Sequence, residues 1–299
     1  MLFRKLFVSR RLESALPKLV IAPGFLFGFA FIYGFMIWNG VLSVSASRML
    51  PNYEFVGLEQ YVRLFEMDRW WVALKNLAIF GGLYVGGAMA LGVFLAILLD
   101  QKIRAEGALR TIYLYPMALS FVVTGTAWKW ILNPSLGLEK LMHDLGWTSF
   151  HFDWLVNTDM AIYCVVIAGI WQSAGFAMAL FLAGLRGIDD SIIKAAQVDG
   201  ASLPRIYWRI ILPTLRPVVF STMLVLSHLA IKSFDLVAAL TAGGPGYSTD
   251  LPATFMYSVS FTRGQIGVGA ASATVMLMTV AALVVPYLYS ELRSKPHEH

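Results

Sequence analysis

The feature that most narrows the fold is a set of six long apolar runs, at roughly residues 19–43, 77–99, 112–132, 160–183, 215–240 and 266–289. A helix rising about 1.5 Å per residue needs about 20 apolar residues to cross a hydrocarbon core about 30 Å thick, and each run meets that length. Long buried helices of a soluble protein do not fit. Of 299 residues, 58% are hydrophobic and only 14% charged, with a mean hydropathy of +0.67, which leaves too little polar sequence to cover six such helices. Membrane β-strands would alternate apolar and polar residues, and these runs do not. The expected fold is all-α, a polytopic membrane protein with six transmembrane helices.

Orientation follows from the basic residues between the runs. The N-terminal tail carries five, the second loop three, the fourth five and the C-terminal tail two; the first, third and fifth loops carry four, two and one. This bias predicts that both termini are cytoplasmic, with tails at 1–18 and 291–299 around a transmembrane unit at 19–290. Lys129, between Trp128 and Trp130, reads as an interfacial anchor whose ammonium snorkels outward. The first run is too long for a signal-peptide core and is expected to stay uncleaved. Gly24 with Gly28, and Gly82 with Gly86, have GxxxG spacing, which predicts close helix packing.

Several chemistries are excluded. The net charge of +5 is spread thinly, unlike a nucleic-acid-binding face, so no nucleic acid partner is expected. Cys164 is the sole cysteine, which rules out an internal disulfide or a Cys-based metal cluster. A phosphate-binding G-x-x-x-x-G-K-[ST] loop is missing, as are H-E-x-x-H and G-x-S-x-G. The His297-Glu298-His299 tail reads as solvated. No catalytic residue, metal ligand or bound cofactor is expected.

Residues 184–214, between the fourth and fifth runs, are unusually long for an inner loop and carry helical signals of their own. Asp189, Asp190 and Ser191 are candidate N-caps, followed by a short apolar-sided helix that Gly200 can end, since it tolerates positive φ. A second helix starts at Ser202, with Pro204 in its first turn. On these signals alone an interfacial amphipathic hairpin among lipid headgroups is an equal reading. The residue order adds more. Lys194-Ala195-Ala196-Gln197-Val198-Asp199-Gly200-Ala201, followed by Tyr207, Ile210, Leu212 and Pro213, resembles the EAA motif of permease subunits in binding-protein-dependent ABC importers.

That resemblance implies an importer permease fold in which residues 190–213 form a cytoplasmic coupling helix between spans four and five, seated on a separate ATPase. ATP and Mg would be bound there and not by this chain. The ATPase contacts it implies are Lys194, Ala195, Ala196, Asp199, Gly200, Ala201, Tyr207, Ile210 and Pro213. The family's leading Glu is Lys194 here, so a carboxylate contact cannot be carried over. Phe234-Asp235, the 240–245 stretch Leu-Thr-Ala-Gly-Gly-Pro and the small residues of 267–273 resemble the carbohydrate branch, most of all glucose/mannose-type permeases. The partners implied are an ATP-binding subunit dimer, a second homologous permease, a periplasmic solute-binding protein, membrane lipid and a sugar such as glucose or mannose. The location implied is the bacterial inner membrane.

Ionisable groups inside spans are costly and point to function or to mutual pairing. His228, Lys232 and Asp235 follow i, i+4, i+7 spacing, which predicts one shared helix face and a Lys232–Asp235 pair; both a self-neutralising pair and a polar transport stripe fit. At similar depth the fourth run offers Trp171, Gln172, Ser173 and Phe176. Hydrogen-bonding groups beside an aromatic platform suit a sugar ring, so the candidate substrate path is Gln172, Ser173, Phe176, Leu229, Lys232 and Ser233. Glu54, Glu59, Glu66 and Asp68 form either a solvated outer surface or a docking face for the binding protein. The alternatives are a stand-alone ion-coupled transporter using Lys232 and Asp235, and a permease for another small polar solute such as glycerol 3-phosphate. A membrane-embedded enzyme would need a convergent catalytic constellation, and none is visible.

Overall fold

The computed structural model describes residues 10–101 and 103–294. Arg4, Lys5, Lys102, Lys295 and the His297-Glu298-His299 tail lie outside them. In chain order the helices are α1 (Arg10–Ser43), α2 (Glu59–Glu66), α3 (Asp68–Asp100), α4 (Glu106–Ala118), α5 (Phe121–Ile131), α6 (Leu138–Asp144), α7 (Ala161–Arg186), α8 (Asp190–Val198) and α9 (Leu203–Ile206). A π-helical turn, Tyr207–Ile211, leads into α10 (Leu212–Thr214), then α11 (Arg216–Ile231), α12 (Asp235–Leu240), α13 (Pro252–Tyr257) and α14 (Ile266–Ser294). Among the described residues there is no named strand, and a single β-bridge joins Ser45 to Phe55.

Four helices, α1, α3, α7 and α14, are long and apolar enough to cross a membrane. A fifth candidate is the pair Leu203–Thr214 and Arg216–Ile231, bent by 67° at its junction. The runs at 112–132 and 215–240 are therefore broken rather than continuous helices. In the first, Pro116 removes a backbone donor within the last turn of α4, and Leu119 is extended (φ −78°, ψ 147°). Ser120 then caps α5, its hydroxyl accepting the Val123 N–H at 3.3 Å. In the second, α11 stops at Ile231 and α12 begins at Asp235.

The core is organised around α7, whose small residues let neighbours approach closely. A Cβ on Gly92 of α3 would lie 2.5 Å from the Ala177 Cβ, and one on Gly175 of α7 would lie 2.0 Å from the Tyr113 carbonyl oxygen of α4. The GxxxG pairs behave differently from expectation: Gly24, Gly28, Gly82 and Gly86 face no heavy atom within 4 Å of an added Cβ. Close contact is selected by which face meets a partner, and spacing alone does not carry that information. The small residues that open α14 do pack closely, with an added Cβ on Gly267 falling 2.9 Å from the Gln60 amide carbon.

Between α12 and α14 the chain is pinned by a buried ion pair. Arg69 Nε donates to Asp250 Oδ2 at 2.6 Å, and the guanidinium lies 4.3 Å from the Tyr247 ring centre. Asn76 Nδ2 adds a bond to the Asp250 carbonyl at 3.0 Å. Ahead of α7, Glu139 of α6 accepts the Phe152 N–H at 3.2 Å. That bond, and then His151, hold the Glu139 carboxyl below its ordinary range.

Candidate translocation cavity and coupling loop

The break between α4 and α5 frees the Leu119 carbonyl, and the Gln172 side chain of α7 takes it, Nε2 donating at 2.8 Å. Because a carbonyl only accepts, this bond fixes the amide orientation and leaves Gln172 Oε1 as the acceptor end. That oxygen is buried and has no partner. Beside it, Ser173 Oγ and the Tyr84 hydroxyl share a 2.8 Å bond.

Gln172 and Ser173 border a cavity of about 440 Å³ between the α4–α5 break, α7, α11 and the start of α12. That volume lies within the range of small-molecule sites. Its wall includes Gln172, Ser173, Phe176 and Leu229 from the sequence-derived path, together with Met117, Leu119, Ser120, Phe121, Val225 and Asp235. Lys232 and Ser233 lie outside the lining. Since the helix stops at Ile231, His228, Lys232 and Asp235 do not share one continuous helical face, and among the described residues Lys232 and Asp235 form no ion pair with each other. Sequence reasoning missed the α4–α5 side of the cavity, although Pro116 followed four residues later by a capping Ser120 is a signal for it. Trp171 packs edge-on against Trp128, with ring centres 5.9 Å apart, so the aromatic surfaces of the cavity are Phe121 and Phe176.

The 184–214 loop forms as its local signals dictate. Asp189 caps α8, Oδ1 accepting the Ser191 N–H at 2.8 Å, and that bond, with the Ser191 hydroxyl, keeps the carboxyl below its ordinary range. At the other end Ala201 N–H bonds the Ala196 carbonyl and Gly200 N–H the Gln197 carbonyl, both at 3.0 Å. Those two bonds, with Gly200 at φ +78°, make a Schellman stop. The Asp199-Gly200-Ala201 step is thus first a helix terminus that turns the chain into α9. Ser202 begins α9 and Pro204 sits in its first turn, as expected. Nothing in the residue pattern announces the π-helical turn that follows. It presents Tyr207, whose hydroxyl donates to Asp100 Oδ2 at 3.2 Å and accepts from Gln101 Nε2 at 2.8 Å. The second hairpin helix is therefore tied to the end of α3.

Ala196 is buried, Ala201, Tyr207 and Ile210 are half-buried, and Lys194, Ala195, Asp199, Gly200 and Pro213 are exposed. Val198 and Trp208 add apolar surface, at 87% and 74% exposure. The hairpin thus rests on the bundle by one side and leaves the other open. Arg186, at the end of α7, pairs with Glu106 of α4 at 2.6 Å immediately before it.

An α-helical bundle with a half-open, largely apolar cavity beside a broken helix, and a projecting helical hairpin, has the form of a transport permease. Residues 88–294 match the model of the binding-protein-dependent transport system inner membrane component, and the chain belongs to that family. It is 40% identical over 283 residues to a probable ABC transporter permease protein of Pyrococcus horikoshii, covering 93% of this chain and 97% of that one. It is 37% identical to the xylose/arabinose import permease protein XacH of Haloferax volcanii, over 88% of this chain and 83% of the relative. Among solved structures, a bacterial ABC transporter that imports the acidic polysaccharide alginate shares the fold, with a TM-score of 0.82 at 21% identity over 96% of this chain and 100% of the other. A bacterial alginate ABC transporter in complex with an alginate pentasaccharide-bound periplasmic protein gives 0.80, again at 21% identity, over 93% and 95%.

Proposed function

We propose that this chain is one half of the membrane pathway of a sugar importer, moving a neutral monosaccharide across the cytoplasmic membrane as a separate ATPase dimer closes and opens. The observation that carries the reading is the 440 Å³ cavity beside the broken helix, whose lining combines Gln172, Ser173 and Ser120 with the aromatic Phe121 and Phe176. The polar side chains of the lining suit sugar hydroxyls, and an aromatic face suits the C–H side of a pyranose. Gln172, Ser173, Phe176 and Leu229 are the proposed contacts, with Lys232 and Ser233 bordering the path at the end of α11. Among the described residues the lining contains one carboxylate and no cationic side chain, which favours a neutral sugar over a phosphate ester such as glycerol 3-phosphate. Glucose and mannose remain the proposed substrates, and the resemblance to a xylose/arabinose permease puts pentoses beside them.

In this reading the chain crosses the membrane six times with both termini inside, α4–α5 and α11–α12 being two broken crossings. Loop 184–214 seats on the ATPase, and a second permease completes the pathway. A periplasmic binding protein delivers the sugar; the alginate transporter of like fold, captured with its pentasaccharide-bound periplasmic protein, supports that partner. The test is to extract the tagged chain from its native membrane in mild detergent, identify what co-purifies, and measure ATP hydrolysis with candidate binding proteins and a sugar panel. Recovery of a second permease and a P-loop ATPase, with sugar-stimulated hydrolysis, supports the proposal. A chain that comes out alone and transports on an ion gradient refutes it.

A further inference from the structure

Outside the cavity and the hairpin, one cluster of side chains has the composition of a metal site. Glu139, His143 and His151 lie in the segment between α5 and α7, and one ligand atom of each falls within 4.8 Å of those of the other two. Glu139 and His143 are four residues apart, which puts them on one face of α6, and His151 arrives from the loop that follows. We propose that these three residues form a binding site for a zinc-class divalent cation, with water in the fourth position.

The geometry supports the assignment in three ways. His151 Nδ1 and Glu139 Oε1 are 3.3 Å apart. Metal–ligand bonds of about 2.0–2.2 Å in a tetrahedron place neighbouring ligand atoms about 3.3–3.6 Å apart, so this pair already spans one edge. His143 Nε2 lies 2.8 Å from the Phe150 carbonyl, which only accepts, so Nε2 carries the proton and the neutral ring keeps its lone pair on Nδ1. A histidine oriented by a backbone carbonyl through its other nitrogen is the usual outer-shell arrangement of a metal ligand. The carboxylate is fixed in the same manner, Glu139 Oε2 accepting the Phe152 N–H at 3.2 Å. Two of the three ligands are thus held from behind before any ion arrives. The third, His151, has a side chain 77% exposed and can rotate to close the remaining gap.

A surface ion pair accounts for Glu139 with His151 alone; His143, whose ring meets that of His151 edge-on with centres 6.0 Å apart, adds the third nitrogen or oxygen donor that a cation would need. Two imidazoles and one carboxylate select a borderline cation such as Zn²⁺ over Ca²⁺ or Mg²⁺, which prefer all-oxygen shells. Bound there, the ion would fasten α6 to residues 150–152. Phe152 stacks on Trp154 with ring centres 5.0 Å apart, and both pack against the main core. The site lies in the segment that precedes α7 in the chain and does not depend on the sugar reading.

The experiment uses the full-length chain in mild detergent, with His297→Ala and His299→Ala in every sample so that the tail contributes nothing. Zn²⁺ is titrated by calorimetry and Co²⁺ by its visible d–d absorption. The expected result is one saturable site per chain, weakened at least about tenfold in His143→Ala and in His151→Ala, and not displaced by millimolar Ca²⁺ or Mg²⁺. Because His151 is mostly exposed, its replacement leaves the fold intact and isolates the ligand effect. Absence of saturable Zn²⁺ uptake, equal uptake by His151→Ala and the parent, or displacement by Ca²⁺ would each overturn the assignment.

Discussion

Replacing Gly200 separates two explanations of why the 184–214 loop carries glycine there. Its φ of +78° is the left-handed conformation required by the Schellman stop, and an added Cβ meets no heavy atom within 4 Å. Within this chain, then, a substitution costs only backbone strain, about 1–2 kcal/mol for an ordinary residue and less for Asp or Asn, which tolerate this conformation. In population terms that is about a 5–30-fold bias against the native turn for Gly200→Ala, and a smaller one for Gly200→Asp. If strain were the whole effect, Ala would be the worse variant. If an ATPase surface closes over the turn, the ranking inverts, because Asp brings more bulk and a charge into an interface. We expect the inverted order: Gly200→Asp inserts normally but abolishes uptake and sugar-stimulated ATP hydrolysis in proteoliposomes, whereas Gly200→Ala retains a measurable fraction of both. Uptake by Gly200→Asp equal to or above that of Gly200→Ala would refute the docking argument, and normal uptake in both would remove Gly200 from the coupling surface.

Three further outcomes follow from the packing. Gln172→Leu leaves the Leu119 carbonyl at the cavity wall without its donor, which should cost about 1–3 kcal/mol of stability, read as a lower thermal midpoint in detergent, and should slow sugar uptake. Arg69→Ala strands the buried Asp250 carboxylate and should cost about 3–5 kcal/mol of stability, seen as a lower thermal midpoint in detergent; Arg69→Met combined with Asp250→Leu should recover part of it. Gly175→Ala drives a methyl into the Tyr113 carbonyl, 2.0 Å away, and should cost about 1–3 kcal/mol by the same assay.

The helical hairpin at 184–214 is legible in the sequence because each of its signals is local. A capping Asp189, a stop at Gly200 and a proline in the next first turn are decided by neighbours within a few residues, and the structure realises all three. The apolar runs are legible for a similar reason, since length and hydropathy need no knowledge of partners. The breaks are not. A hydropathy window averages across Leu119 and Ser120, and what makes an interrupted helix tolerable there is a distant Gln172 that receives the exposed carbonyl. The same limit explains the GxxxG pairs: spacing names a face, and only tertiary packing decides whether anything meets it. It also explains why spacing predicts a Lys232–Asp235 pair that does not form, since that inference presumes an unbroken helix.

The breaks acquire a purpose when α7 is considered as one body. From Gln172 to Arg186 it runs 14 residues, about 21 Å of helix, and it ends in the Arg186–Glu106 pair directly ahead of α8. Gly92 and Gly175 lock it closely against α3 and α4, so a displacement of the hairpin cannot be absorbed by bending α7. Such a displacement would reach the cavity as a tilt, and the compliant points are the two helix breaks beside it, at 119–120 in its wall and at 232–234 next to Asp235. The cavity would then open or close by movement of α5 and α12 relative to α7, with the Gln172 bond to Leu119 as the contact that strains first. Gly175→Ala probes this, because it pushes α4 off α7 at Tyr113 while replacing no residue of the cavity lining or of the hairpin. If α7 transmits the motion, that variant uncouples ATP hydrolysis from uptake at temperatures where it remains folded; tight coupling in the folded variant would mean that the force travels by another helix.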